Sequence, residues 1–184
     1  MTSIGSPTPT DILAFWKNAG PDRWYEKDEA FDAKVRRRYL DLWRKAAAGG
    51  LSSWETSDEG ALALTIVLDQ FPRNMFRGNA QAFASDSQAR DVASRAIARG
   101  VAERIDPALL EFLYVPFMHS EQLADQLRCV ELFRACDGAD NLKYAEEHAG
   151  IIRRFGRFPH RNRILGRTTT AEEQAFLDGG GFAG

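Results

Sequence analysis

Apolar residues recur every three or four positions along most of the chain, which is the spacing of one face of an α-helix. The clearest case runs from about residue 28 to 48, where one face carries Phe31, Val35, Tyr39, Leu42 and Trp43. No run of four to eight residues alternates apolar and polar positions with β-branched enrichment. The sequence therefore predicts an all-α fold with no sheet.

Capping residues and helix breakers predict where the first helices begin and end. Thr10 is a suitable N-cap for a helix that Gly20 stops, and Ser57 for one whose residues 61–68 are apolar on almost every side. A helix that is apolar all round is a buried one. We expect Pro72 to break this buried helix, because proline disfavours helical geometry at the preceding residue.

The second half of the chain has similar signals. A helix is predicted from Ser85 or Asp86 to Arg99, and another after the Asp106-Pro107 pair until Pro116 interrupts it. Ser120 begins the next, residues 142–155 form a further helix, and Thr169 or Thr170 with Glu172 or Glu173 is a capping box. Short turns between helices favour antiparallel helix pairs, in a tetratricopeptide-like array or a bundle. We predict one helical domain over residues 1–184, with residues 1–9 and 179–184 flexible.

Composition limits the possible partners. The 184 residues have a net charge of -2, which gives no general reason to bind nucleic acid or an anionic membrane, and no segment has the ~20 apolar residues of a membrane span. Cys129 and Cys136 fall in one predicted helix, about 10 Å apart at the helical rise, which is too far for a disulfide. We therefore expect a soluble protein in the reducing cytoplasm.

Three polar strings, each containing a proline, interrupt the apolar pattern: residues 69–74, 116–121 and 153–162. Partly buried breaks between helices have this composition, because polar groups there must find partners or lose free energy. We expect the three strings to converge in space. The candidate binding residues that they supply are Asp69, Arg73, Asn74, His119, Glu121, Arg157, His160, Arg161 and Asn162.

Each candidate also has a purely structural interpretation. Asp69 near a helix C-terminus needs a compensating cation, and Arg73 four residues later either ties the helix end or anchors an anion. Six arginines lie between residues 153 and 167, and the density of guanidinium groups favours pairing with internal acids slightly over binding an anionic ligand. The triplet Arg36-Arg37-Arg38 is interpreted as a solvated helix face.

The sequence gives no motif for a metal, a cofactor or a nucleophile. His119 and Glu121 are two positions apart, so they would not share a helix face, and His148 lies inside a predicted helix. No HExxH spacing, GxSxG, Walker loop or GxGxxG is present. We expect no metal and no cofactor, and the sequence leaves open whether the protein is an enzyme.

The same strings resemble an uncharacterised, mainly bacterial family known as domain of unknown function 924. The resemblance is most specific at residues 68–74, 117–121, 154–162 and 165–167, and it extends from Phe15-Trp16 to Thr168-Thr169. It implies a tetratricopeptide-like helical fold and no established activity. Ser85 stands where the family resemblance leads us to expect threonine.

Two functional hypotheses follow. In the first, the protein is a helical binding module whose polar groove, lined by the candidate residues, holds a peptide or an acidic partner. In the second, Arg73, Arg157 and Arg161 anchor a small anion. His119, His160, Glu121 or Asp69 would then act as acid or base in a small-molecule site or enzyme.

Overall fold

The computed structural model describes residues 6–136 and 139–182 of the chain. These residues form helices and turns and contain no strand, which confirms the all-α prediction. The tetratricopeptide-like arrangement of the helices stays a prediction. The α-helices are α1 (Pro9–Ala19), α2 (Pro21–Tyr25), α3 (Glu29–Ala47), α4 (Asp58–Met75), α5 (Asp86–Ala98), α6 (Glu111–Met118), α7 (Leu123–Ala135), α8 (Ala139–Phe155) and α9 (Ala171–Asp178).

The chain divides into two compact units. The first comprises Met1–Arg77 and Gln81–Pro116, and the second comprises Gly78–Ala80 and Phe117–Gly184. The prediction of one domain over residues 1–184 stays a prediction. Of the segments expected to be flexible, residues 1–5 and 183–184 lie outside the described part of the chain.

Helix α4 is the centre of the first unit. Nearly all of its residues are buried, and it packs against α1, α3 and α5. An aromatic cluster fills the space beside it, with Phe71 stacked on Tyr39 at 4.8 Å between ring centroids and Trp16 set edge-on to Phe112 at 5.5 Å. The predicted buried helix is therefore present and organises this unit.

Side-chain caps explain most helix starts. Ser57 accepts a hydrogen bond from a first-turn backbone N–H of α4, as predicted, and of the two candidates for α9 it is Thr170 that does so. Asp28 caps α3 in the same way. The prediction that Thr10 caps α1 is wrong. Thr8 is the cap, since its hydroxyl accepts from the Asp11 N–H while the Asp11 carboxylate accepts from the Thr8 N–H.

Pro72 does not break α4, contrary to the sequence prediction. The helix continues through it to Met75. Proline has no N–H, so the carbonyl of Leu68, four residues earlier, loses its helical donor. The buried Ser85 hydroxyl replaces that donor by a hydrogen bond of 2.5 Å to the Leu68 oxygen.

Two further helix boundaries differ from the prediction. Pro116 lies inside α6, which runs to Met118, rather than interrupting it. Ser120 does not begin α7, whose first residue is Leu123; instead its hydroxyl donates to Asp125 at 2.6 Å and accepts from the Gln122 N–H. Ser120 therefore orders the turn that precedes the helix.

The second unit is built on the pair α7 and α8, which pack along each other. The core at the end of α8 consists of Ile151, Ile152 and Phe158, all buried, and the partly buried rings of Phe155, Phe176 and Phe182 pack against it. Helix α9 lies against the turn Pro159–Arg161. Within the described residues, no helix is both long enough and apolar enough to cross a membrane.

Candidate functional site

The first polar string lies in the first unit, where Arg73 joins two acids. Its guanidinium is 3.2 Å from an Asp69 carboxylate oxygen and makes two hydrogen bonds to Asp86, of 2.9 and 3.0 Å. Arg73 also donates to the Asp69 backbone oxygen at 2.7 Å. Burial lowers the pKa of Arg73, but the charges of Asp69 and Asp86 raise it by more. Arg73 is thus a charged tie between α4 and the start of α5.

Asn74 has a similar structural role. Its amide donates to Asp32 on α3 at 2.7 Å, and Arg77 binds the same carboxylate through Nε at 2.8 Å and Nη2 at 3.1 Å. The last turn of α4 is therefore fastened to α3 and to α5 by two separate polar contacts. Asp69, Arg73 and Asn74 all serve this fastening.

The second and third strings come together in the second unit through Glu121. Its carboxylate accepts from the Phe158 N–H at 2.8 Å and from both terminal nitrogens of Arg167 at 2.6 and 2.9 Å. Partial burial raises the pKa of Glu121, but the hydrogen bonds from Arg167 and Phe158 lower it by more. Glu121 is therefore ionised, and its carboxylate oxygens already accept hydrogen bonds from Arg167 and from the Phe158 N–H.

Arg157 and Asn162 converge on Glu173 of α9, which was not among the candidates. Arg157 donates to the two carboxylate oxygens at 2.6 and 2.8 Å, and Asn162 donates to one of them at 3.1 Å. Glu173 is almost fully buried and also accepts from the Thr170 N–H. The hydrogen bonds from Arg157 lower the pKa of Glu173 to about 2, against a smaller opposing effect of burial.

His119 and Arg161 meet through the backbone. Arg161 is buried, lies over the Phe158 ring at 4.6 Å, and donates to the His119 carbonyl oxygen at 3.0 Å. His160 packs between the rings of Phe158 and Phe182, at 5.5 and 5.2 Å between centroids. The six candidates of the second unit therefore belong to connected polar and aromatic contacts, while the convergence of all three strings stays a prediction.

The contacts of the candidate residues favour a role in pairing with other groups of the protein over a role in catalysis. The guanidinium groups of Arg73, Arg157 and Arg161 each hold a protein oxygen. Among residues 6–136 and 139–182, no group of three His, Cys, Asp or Glu side chains is placed to hold a metal ion. The network fixes the turns that connect the helices, and its charges are largely satisfied within the protein.

A more open concave site lies elsewhere in the first unit. It is a cleft of about 470 Å³, and we call it the α1–α3 cleft. Its floor includes the stacked rings of Phe15 and Phe31, 5.6 Å apart. The residues that line it are Phe15, Asn18, Ala19, Arg23, Asp28, Ala30, Phe31, Lys34 and Arg38.

The cationic groups of this cleft lie above its aromatic floor. Lys34 Nζ is 5.4 Å and the Arg38 guanidinium 5.3 Å from the centre of the Phe15 ring. Both side chains are exposed to solvent. The sequence pattern missed this site, although Lys34 and Arg38 are four residues apart on one helix and so share a face.

The comparisons with known proteins place the chain in a family. A model of a family described as bacterial proteins of unknown function, domain of unknown function 924, matches residues 12–181. The chain belongs to this family. A solved structure of a protein of unknown function from Agrobacterium tumefaciens is 47% identical, with a TM-score of 0.89 over 93% of this chain and 97% of that one. No curated protein matches the chain.

Proposed function

We propose that this protein is a helical binding module for an acidic partner, and that the partner's carboxylates bind in the α1–α3 cleft. One observation carries the proposal. The walls of the cleft present Arg23, Lys34 and Arg38 but a single acid, Asp28, so the site has an excess of positive charge in a chain of net charge -2. A local excess of positive charge on a protein of negative net charge favours a negatively charged ligand.

The acids near the cleft are already engaged. Asp28 caps α3 by accepting from the Phe31 N–H at 2.9 Å, and it also lies 3.4 Å from Arg23. Asp11, whose pKa is lowered by its hydrogen bonds with Thr8 and more weakly by Arg38, belongs to the cap of α1. Lys34 and Arg38 therefore remain available to a ligand.

A peptide or protein segment fits this site better than a catalytic reaction does. The cleft is open along one side, and its Phe15 and Phe31 rings offer apolar contact beside the cations. No imidazole or cysteine lines it, and its one carboxylate, Asp28, is engaged by the Phe31 N–H and Arg23. The proposal invokes no cofactor, no nucleic acid and no membrane, and it places the protein in the cytoplasm, where Cys129 and Cys136 would stay as the free thiols that they are here.

The cleft volume favours one alternative. A site of about 470 Å³ lies within the usual range for small ligands, so a small polyanion could occupy the same cations. In this alternative the acid-base residues predicted from the sequence have no part. The ligand would be held by Arg23, Lys34 and Arg38 instead of by Arg73, Arg157 and Arg161.

Two adjacent arginines provide a matched test. Arg38 lines the cleft, whereas Arg37 is exposed on the same helix and does not. Binding of a fluorescein-labelled, glutamate-rich peptide would be measured by fluorescence anisotropy at low salt. Charge reversal in Arg38→Glu should weaken binding about tenfold, which corresponds to about 1.4 kcal/mol. The same reversal in Arg37→Glu changes the net charge equally and should weaken binding less than threefold.

The outcomes separate the hypotheses. Equal losses in Arg37→Glu and Arg38→Glu would show that the peptide responds only to net charge, and the proposed site would be wrong. The absence of measurable peptide binding would also refute the acidic-partner proposal. If citrate or inorganic phosphate binds instead, with the same dependence on Arg38 in calorimetric titrations, the small-polyanion alternative replaces it.

A further inference from the structure

The C-terminal segment of the second unit folds back onto two histidines. The Phe182 ring lies 4.4 Å from the His148 ring and 5.2 Å from the His160 ring, between centroids. Phe158 contacts the same two imidazoles from within the core, at 5.4 and 5.5 Å. Each imidazole thus contacts two aromatic rings, and one of these rings belongs to the end of the described chain.

Glycines allow the segment to make this return. Gly180 has a φ of 81°, in the left-handed region that other residues rarely adopt. A Cβ at Gly181 would come within 2.6 Å of Phe176 ring carbons, so a larger residue here would displace that ring. The Gly181 N–H then donates to the Phe176 oxygen at 3.0 Å, which fixes the turn. The position of Phe182 is therefore determined by specific backbone contacts.

The surroundings of His148 and His160 favour the neutral form of both imidazoles while Phe182 covers them. His148 Nδ1 lies 2.8 Å from the Tyr144 carbonyl oxygen, and a carbonyl only accepts, so we assign the proton to Nδ1. The buried Nδ1 of His160 has no hydrogen-bond partner among the described residues. Both rings thus lie in a largely apolar environment, where a positive charge would be poorly solvated.

The charged groups around the pair mostly oppose protonation. His119 and Arg161 face His148, while Arg161, His148 and Arg167 face His160, with Glu121 acting in the opposite sense. Burial first, and these positive neighbours second, lower the pKa of His148 and of His160 to about 4. The environment therefore holds both imidazoles neutral at pH 7.

We propose that residues 179–182 form an intramolecular latch, closed by Phe182 on the neutral His148–His160 pair and released when that pair is protonated. This inference is independent of the α1–α3 cleft. Release would uncover the imidazoles and the apolar surface around Phe158, so the chain would present a different surface in acid. The latch thus adds a conformational response to pH to the second unit.

The direction and upper limit of the response follow from linkage. An uncovered imidazole takes up its proton near pH 6.5, whereas the covered ones do so near pH 4, so acidification favours the open state. If Phe182 caused the whole difference, the ratio of open to closed molecules would rise about 20-fold per imidazole between pH 7 and pH 5. Phe158 and the surrounding helices share in the burial, so the measured rise should be smaller.

Histidine titration in the full-length chain tests the latch. The midpoints of His148 and His160 would be measured from their ring resonances by NMR. Phe182→Ala should move both midpoints towards 6.5, and Phe182→Leu, which keeps an apolar side chain there, should move them less. Unchanged midpoints in Phe182→Ala would overturn the proposal.

Hydrogen exchange gives a second, independent readout. The protection factor of the Gly181 amide, corrected for the intrinsic effect of pH, should fall several-fold between pH 7 and pH 5 while amides inside α7 and α8 keep theirs. In a His148→Gln/His160→Gln variant, the Gly181 protection should lose this pH dependence. Constant protection in the unmodified chain, or a loss shared equally by α7 and α8, would each refute a local latch.

Discussion

The hydroxyl of Ser85 is the feature whose removal gives the most informative stability measurement. It donates to the Leu68 oxygen at 2.5 Å and accepts from the Trp43 indole N–H at 3.0 Å. Ser85 is fully buried, so Ser85→Ala leaves both partners without a hydrogen bond and without access to water. Each unsatisfied buried group costs about 1–3 kcal/mol, so the total loss from two groups should be about 2–6 kcal/mol.

A double-mutant cycle with Pro72 isolates the part due to the freed carbonyl. Pro72→Ala restores an N–H that can bond to the Leu68 oxygen within α4, and this new bond satisfies the carbonyl when Ser85 is replaced by alanine. The loss caused by Ser85→Ala should therefore be about 1–2 kcal/mol smaller in the Pro72→Ala background. Whatever packing Pro72→Ala loses cancels in this comparison.

Urea denaturation followed by tryptophan fluorescence measures this effect directly. Trp16, Trp24, Trp43 and Trp54 all lie in the first unit, which contains α4 and Ser85, so the signal reports the relevant part of the chain. Ser85→Thr retains the hydroxyl and is the natural control for the lost hydrogen bonds. If Ser85→Ala and Pro72→Ala are additive within about 0.5 kcal/mol, the hydroxyl does not replace the missing helical donor.

Three other predictions concern buried charges and thiols. Arg73→Met leaves the buried Asp69 without its cation and should destabilise the first unit by about 3–5 kcal/mol in urea denaturation. A loss of stability below about 1 kcal/mol would contradict the inference that Arg73 holds α4 and α5 together. The pKa of Glu173 is lowered to about 2, so its stabilising effect is present above about pH 4.5 and lost as pH falls towards 2. In Glu173→Gln, this loss of stability between about pH 4.5 and about pH 2 should be absent when acid unfolding is monitored by circular dichroism. Burial raises the pKa of Cys129 to about 12, so the thiol reagent DTNB should label the half-buried Cys136 first in the native chain; equal rates at both thiols would refute this.

The helices could be predicted from local signals because the interactions that set their ends are themselves local. Asp28, Ser57 and Thr170 cap by bonds to residues three positions later, which a sequence displays directly. The effect of Pro72 was misjudged because its compensation is not local. The donor that replaces the missing N–H comes from Ser85, 17 residues away from the carbonyl that it binds.

The polar strings were recognisable, but their partners were not. Spacing predicts that Arg73 is near Asp69, yet no periodicity predicts that Arg167 pairs with Glu121, 46 residues away. Composition favoured internal pairing of the arginine cluster, and the contacts of Arg157 with Glu173 agree with that interpretation. The α1–α3 cleft escaped prediction because Lys34 and Arg38, although they share a face of α3, are brought beside Phe15 of α1 and Arg23 of α2 only by packing.

The position of Glu173 also affects how this chain can be shortened. The Glu173 carboxylate accepts from the Thr170 N–H at the start of α9 and at the same time neutralises Arg157 and accepts from Asn162. A truncation before Thr170 would remove a helix of only 8 residues, yet it would leave a guanidinium and an amide upstream without their shared acceptor. Helix α9 is short, but its Glu173 holds the side chains beside the turn Pro159–Arg161. A fragment that omits this helix should therefore be less stable than the full chain.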